Sequence, residues 1–278
     1  MTAETKELTP YVKLLKRLDA GMEKLSFSSF KAFCESPRHF IQYKLKPKDP
    51  TPGMDFGTLV HMLILQREEL DDKYYILPED APKKPTKSQL NAKKPSEESI
   101  KLMKWWDNEH AKAGGRELID FDLHAKAKKI ADYAENNKSI RWVLDNITTT
   151  EKYVQWEYMG LKWHGYVDGF GDTLFADLKN MNGFNISKPI WSIRDRKTLW
   201  QGYLYNQAPE CSGKDFYIVG LEPMPNAKVI RVQNKVLQAQ KEEIDYHIRM
   251  FKKCVFEGAW SIGYEYFTKD GFFDYSML

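Results

Sequence analysis

Residues Gly165–Asn180, GYVDGFGDTLFADLKN, decide the reading of this chain. Two runs of strand-forming residues flank a turn containing Gly169, Gly171 and Asp172, the composition of a hairpin. Asp168 lies at the end of the first run, and Asp177-Leu178-Lys179 near the end of the second. Side chains alternate along a strand, so Asp177 and Lys179 share one side while Leu178 turns to the opposite layer. The hairpin carries Asp168 close to Asp177. Two neighbouring carboxylates repel unless a cation lies between them, and an oxygen-rich, sulfur-poor site suits Mg²⁺ or Mn²⁺. A lysine alongside can hold and help deprotonate an attacking water, the equipment for metal-assisted phosphodiester hydrolysis. An Asp-x-Lys on an edge strand is ordinarily a solvated face. Here Phe175, Ala176 and Leu178 make the strand apolar, and a charged pair on a buried strand requires a partner or a metal.

Three further stretches fall into line with this one. Gln201-Gly-Tyr-Leu-Tyr205 follows on a helix, with Gln201 and Tyr205 one turn apart. Upstream lie Gly57-Thr-Leu-Val-His61 and the opening LSFSSFKAFCESPRHF at Leu25–Phe40. Asp168 with Asp177-x-Lys179 resembles the bipartite core of the PD-(D/E)xK nuclease superfamily. The Gln-x-x-x-Tyr and Gly-x-x-x-His elements resemble those of its RecB-like and lambda-exonuclease-like branches. The serine-rich opening is similar to that of phage and prophage RecE-like exonucleases. The four elements keep the family order across residues 25 to 205. The second acidic residue is Asp177 in place of the commoner Glu, as also happens in the RecE-like group.

The resemblance implies a role for each matching residue. Asp168 and Asp177 hold a divalent ion, Mg²⁺ or Mn²⁺, with the main-chain carbonyl of Leu178, and His61 completes or supports the coordination. Lys179 orients the attacking water. Glu157, one strand earlier, is a candidate further ligand to metal or water, against the reading of a surface carboxylate. Gln201 and Tyr205 bind backbone phosphate or position Lys179, a buried Tyr205 bonded to the core being the competing account. Ser28, Ser29, Lys31 and Arg38 cluster at a helix start and form a candidate 5′-phosphate site; ordinary capping explains the serines equally well. Trp156, Trp163 and Trp200 are candidates to stack on unpaired bases. The implied activity is 5′-to-3′ degradation of linear duplex DNA, leaving 3′ single strands for a single-strand annealing protein, by a ring of three or four subunits. An endonuclease of repair or restriction type, or an inactive DNA-binding or assembly protein, are the alternatives.

Composition agrees with a globular enzyme. The 278 residues are 42% hydrophobic, enough for a real core, and the net charge of +3 permits nucleic-acid binding without arguing for it. Three scattered cysteines (Cys34, Cys211, Cys254) read as reduced thiols and cannot furnish a four-cysteine iron–sulfur cluster within one chain. No apolar run reaches membrane-spanning length and no signal-peptide core opens the chain, so a cytoplasmic protein of a bacterium or phage-infected cell is expected.

The expected fold is α/β (α+β): a small mixed central β-sheet flanked by helices, a restriction-endonuclease-like core with a helical N-terminal half. Residues 1–24 form an arm and 25–278 one nuclease domain, helical over 25–148 and carrying the sheet over 149–278. The Pro- and Lys-rich residues 79–98 read as a mobile basic loop, either solvated or a flap touching phosphate. Helices are expected at Gly57–Leu70, Glu97–Ala113, Leu123–Asn146, within Ser187–Gln207 and at Lys235–Gly258. Strands are expected at Glu151–Met159, Lys162–Phe170, Thr173–Asn180, Asp215–Leu221 and Val229–Val232.

Overall fold

The structure, a computed structural model, describes residues 9–46, 52–180, 193–194, 196–222 and 226–268. Helices α1 (Pro10–Asp19), α2 (Phe27–Glu35), α3 (Pro37–Leu45) and α4 (Pro52–Leu65) come first, then the short α5 (Leu70–Lys73). Strand β1 (Tyr74–Ile76), the single turn α6 (Lys87–Leu90), α7 (Glu97–Ala113) and β2 (Glu117–Ile119) lead into α8 (Phe121–Asn136) and α9 (Lys138–Asp145). Strands β3 (Thr149–Tyr158), β4 (Leu161–Phe170) and β5 (Leu174–Asn180) precede α10 (Thr198–Tyr205), β6 (Asp215–Leu221) and β7 (Ala227–Val232). The short α11 (Asn234–Gln238) and the long α12 (Lys241–Glu257) follow.

Among the described residues β3–β7 make one mixed sheet in the order β3-β4-β5-β6-β7. Its pairs are antiparallel except β5–β6. The β3–β4 turn is Met159-Gly160, whose φ angles of 51° and 69° are the left-handed pair that a two-residue hairpin loop needs. The expected strands put this turn one residue later.

Alternation along β5 and β6 divides the sheet's two packing layers. Phe175, Phe216 and Ile218 join Phe30, Phe33, Trp163, Trp200 and Phe251 in the first core cluster, under α1–α3, α10 and α12. Leu174, Ala176, Leu178, Val219 and Leu221 pack with Leu59, Leu63, Ile130 and Val143 in the second, under α4, α8 and α9. No buried side chain of the second cluster comes from β3 or β4, so the buried apolar contacts of α4, α8 and α9 lie on the β5–β7 side of that face.

Several expected boundaries move for local reasons. The helix read over Leu123–Asn146 is two, broken where Asn137 accepts from the N–H groups of Ser139 and Ile140 and so caps a new start. The terminal helix likewise divides at residues 239–240. Helix α4 starts at Pro52 and ends at Leu65, ahead of the expected Gly57–Leu70. The parallel pair β1–β2 was not legible as strands, each being only three residues long. Between them, residues 79–98 hold the single turn α6, and the Lys83 carbonyl accepts from the Trp106 indole. Of the segment expected to contain the Gln201 helix, residues 187–192 and 195 lie outside the described residues. In the N-terminal arm, α1 buries Leu14 and Leu18 in the first cluster.

Candidate active site

Strands β4 and β5 pair at only two positions, Gly169↔Ala176 and Phe170↔Phe175, and then part. In the opening, the carboxylate of Asp168 accepts from the N–H of Leu178 at 2.7 Å, replacing the ladder bond the strands no longer make. Leu178 itself points into the second core cluster, so only its main chain borders the site. Asp177 is 3% exposed. One of its oxygens, Oδ1, accepts from Lys179 Nζ at 2.7 Å and from Gln201 Nε2 at 3.0 Å. Its other oxygen, Oδ2, is buried with no partner. An orphaned carboxylate oxygen in a dry site costs roughly 1–3 kcal/mol or more, a cost that an ordered water or a cation would relieve.

The electrostatics agree with that reading. Burial, opposed by Lys179 and reinforced by Asp168, pushes the Asp177 carboxyl up to about 6. Burial works against the Lys179 ammonium, but Asp177 and Asp168 outweigh it and hold its pKa above the usual lysine value. With no cation present, Lys179 is therefore charged at neutral pH. As an ammonium it is placed to orient a water.

On the α4 side, His61 Nδ1 stands 3.8 Å from Asp168 Oδ2, beyond hydrogen-bond reach. A third ligand-bearing residue joins them: atoms of His61, Glu151 and Asp168 all lie within 4.8 Å of one another. Glu151 is partly buried, and burial together with Asp168 raises its pKa, while His61 and Lys73 oppose the rise. It occupies the β3 position opposite Asp168, between the pairs Thr150↔Gly169 and Lys152↔Val167. Its φ of 48° is left-handed, a costly conformation for a residue with a Cβ. Imidazole and two carboxylates, with Asp177 on the neighbouring strand, make a hard, oxygen-dominated donor set that fits Mg²⁺ or Mn²⁺.

Sequence reasoning chose Glu157 from this strand, and the structure corrects the choice. Glu157 pairs with Lys162 near the opposite end of the hairpin, is exposed, and lies six positions, about 20 Å, from the level of Asp168. Counting back from a turn at Met159-Gly160 places residue 151 opposite Asp168; the turn position was the signal that could have found Glu151.

Gln201 and Tyr205 divide in role. Gln201 reaches Asp177 directly. Tyr205 is buried, edge-on to Trp156, and donates to the Tyr166 carbonyl at 3.0 Å. Gly165 makes room for it, since a Cβ there would lie 2.5 Å from the ring. Tyr205 is thus bonded into the core, as the competing account had it, and braces Gln201 and β4 from behind.

The four residues read as a phosphate site do not form one cluster. Ser29 is fully buried, donating to the Ser26 carbonyl and accepting from the Ser26 N–H, a reciprocal helix cap. Arg38 donates through Nε and Nη2 to the Ser261 carbonyl. Ser28 and Lys31 do line a groove of about 540 Å³ with Glu35, His39 and Tyr43. Trp156, Trp163 and Trp200 are 7%, 1% and 3% exposed, so none can stack on a base.

A family model described as "PDDEXK-like domain of unknown function (DUF3799)" matches residues 26–266, taking in every element of the site. A crystal structure titled "Putative exonuclease" from Eubacterium rectale superposes with a TM-score of 0.56 at 15% identity, covering 91% of this chain and 87% of that one. At that identity the likeness speaks for the fold, which is the restriction-endonuclease-like sheet-and-helix core expected from the sequence. No curated protein sequence matches.

Proposed function

The chain belongs to this PDDEXK-like family, and from that premise we propose that it is a divalent-metal-dependent deoxyribonuclease. The observation that carries the proposal is the orphaned Asp177 Oδ2 beside the His61–Glu151–Asp168 group, a donor set unbalanced without a cation. Asp168, Asp177, Glu151 and His61 are the residues that would hold the ion. When bound, a divalent ion neutralises charge on the phosphate oxygens and makes water a stronger nucleophile. Lys179, held as an ammonium by Asp177, orients the water or a non-bridging phosphate oxygen for in-line attack. Gln201 fixes the rotamer of Asp177, and Tyr205 keeps the helix bearing Gln201 pressed to β4.

The finer reading is a 5′-to-3′ exonuclease on linear duplex DNA that leaves 3′ single strands for an annealing protein. A ring-shaped homo-oligomer would supply processivity. The family resemblance of the four motifs supports this choice over an endonuclease. No helix among the described residues is long and apolar enough to cross a membrane.

The test is a duplex labelled separately at each 5′ and 3′ end, incubated with Mg²⁺ beside a covalently closed circle. The linear substrate is expected to lose nucleotides from its 5′ ends while the circle survives. Asp177→Ala and Lys179→Ala are expected to stop the reaction with the fold retained. Cleavage of the circle would move the assignment to an endonuclease. Full activity in both variants would remove the site.

A further inference from the structure

The tryptophans are buried, yet the molecule does expose aromatic rings beside the site. Tyr166 is 55% and Tyr153 39% exposed, and their ring centres are 5.1 Å apart across the β4–β3 pair. His164 adds a third ring, 6.0 Å from Tyr153. Tyr166 and His164 are two and four residues before Asp168, so all three share one face of β4; Tyr153 is two residues beyond Glu151 on β3. The strip therefore starts at the metal-ligating carboxylates and runs about 13 Å along the hairpin. It lies on the part of the sheet outside the buried apolar contacts of α4, α8 and α9. Its distal end meets the ammonium of Lys24, which donates to Gln155, opposite His164; Lys44, close by, is paired with Glu23.

Aromatic rings standing in water on an open sheet face carry a hydration cost that a folded chain ordinarily avoids by covering them. We propose that Tyr166 and Tyr153 form a stacking platform for unpaired bases of the DNA strand whose phosphate lies at the candidate metal site. This deepens the nuclease reading and rests on it. Two strand positions span about 7 Å, the length of two stacked base steps, so Tyr166 and Tyr153, opposite each other across the pair, are placed to take a base next to the reacting phosphate and His164 a following one. Continuity with the carboxylates, and Lys24 beyond His164, favour a nucleic-acid strand over a second protein surface. The platform makes the site read single-stranded character through π faces that every base offers, without sequence preference.

The experiment measures binding of a fluorescent single-stranded oligonucleotide in Ca²⁺, alongside cleavage in Mg²⁺ and sedimentation. Tyr166→Ala and Tyr153→Ala are expected to weaken binding about tenfold each, within the range measured for loss of one stacked base. Tyr166→Phe and Tyr153→Phe should bind as the parent protein does. Replacing the nucleotides nearest the cut with abasic residues should weaken the parent but leave the alanine variants unaffected. Unchanged affinity in both alanine variants, or equal sensitivity of parent and variants to abasic positions, would overturn the platform. So would a loss of oligomer mass in those variants, which would show that the strip is covered by a second copy. If instead the parent protein cleaves no DNA under any condition, it is the nuclease reading that fails, and the binding data still judge the platform.

Discussion

Replacing Lys179 with Met tests the electrostatics of the site before any metal or DNA is added. The change keeps the stem's bulk and removes the ammonium that lies 2.7 Å from Asp177 Oδ1. In the parent, the Asp177 pKa rises from 3.8 to about 6 on folding. A folded-state value above the unfolded one means that the protonated carboxyl stabilises the fold below pH 3.8, and that this contribution is lost as pH rises through about 6. Above that pH the shift costs the parent about 3 kcal/mol, at 1.36 kcal/mol per unit. Without Lys179 the buried carboxyl can hold its proton still longer. At about pH 8 the largest penalty it can impose is the cost of keeping that proton, about 6 kcal/mol. The variant should therefore be less stable than the parent by up to about 3 kcal/mol at about pH 8, and by close to zero at about pH 5, where both chains carry the proton. Urea unfolding in chelator at the two pH values reads this directly. Adding Asp177→Asn to Lys179→Met should erase the pH dependence. A loss of equal size at both pH values would refute the reasoning, because it would mean that the lysine does not stabilise through Asp177.

Glu151→Gln should weaken Mn²⁺ binding at least about tenfold by calorimetry, in line with what a metal site loses when a supporting carboxylate goes, whereas Glu157→Gln should leave it unchanged. Gly165→Ala drives a methyl to 2.5 Å from the Tyr205 ring and should cost about 1–3 kcal/mol in urea unfolding, the range for overpacking a filled core. Ser29→Ala removes half of a reciprocal cap and should cost about 1 kcal/mol. Any preference for 5′-phosphorylated ends should survive it, which a degradation assay on phosphorylated and dephosphorylated duplexes will show.

The candidate site residues that the sequence groups and the structure brings together are those fixed by neighbours in the chain. Asp168, Asp177 and Lys179 sit on two strands joined by a three-residue turn, and Gln201 rides a helix whose periodicity is plain, so short-range rules suffice. Glu151 escaped because its place depends on the register of a whole hairpin and on a left-handed backbone angle that no propensity signals for Glu. Glu157 was attractive for its residue type alone, and one hairpin register sends it to the far end. The three tryptophans were misjudged for a related reason. Size and aromaticity say that a ring is valuable but not which side of the strand it faces, and Trp156 and Trp163 stack on each other on the core side. The serines of residues 26–29 carry the opposite lesson, since the bonding that fits a phosphate also caps a helix.

The β1–β2 pair has a consequence for the whole N-terminal half. Residues 77–116 leave β1 and return to β2, its immediate parallel neighbour, and their own Trp106 is packed by Lys83 and Lys84. The excursion is thus anchored at its base and partly self-supporting, hanging beside the nuclease sheet like a bracket on a wall. Lengthening or shortening that bracket should therefore leave the carboxylates of the candidate site where they are.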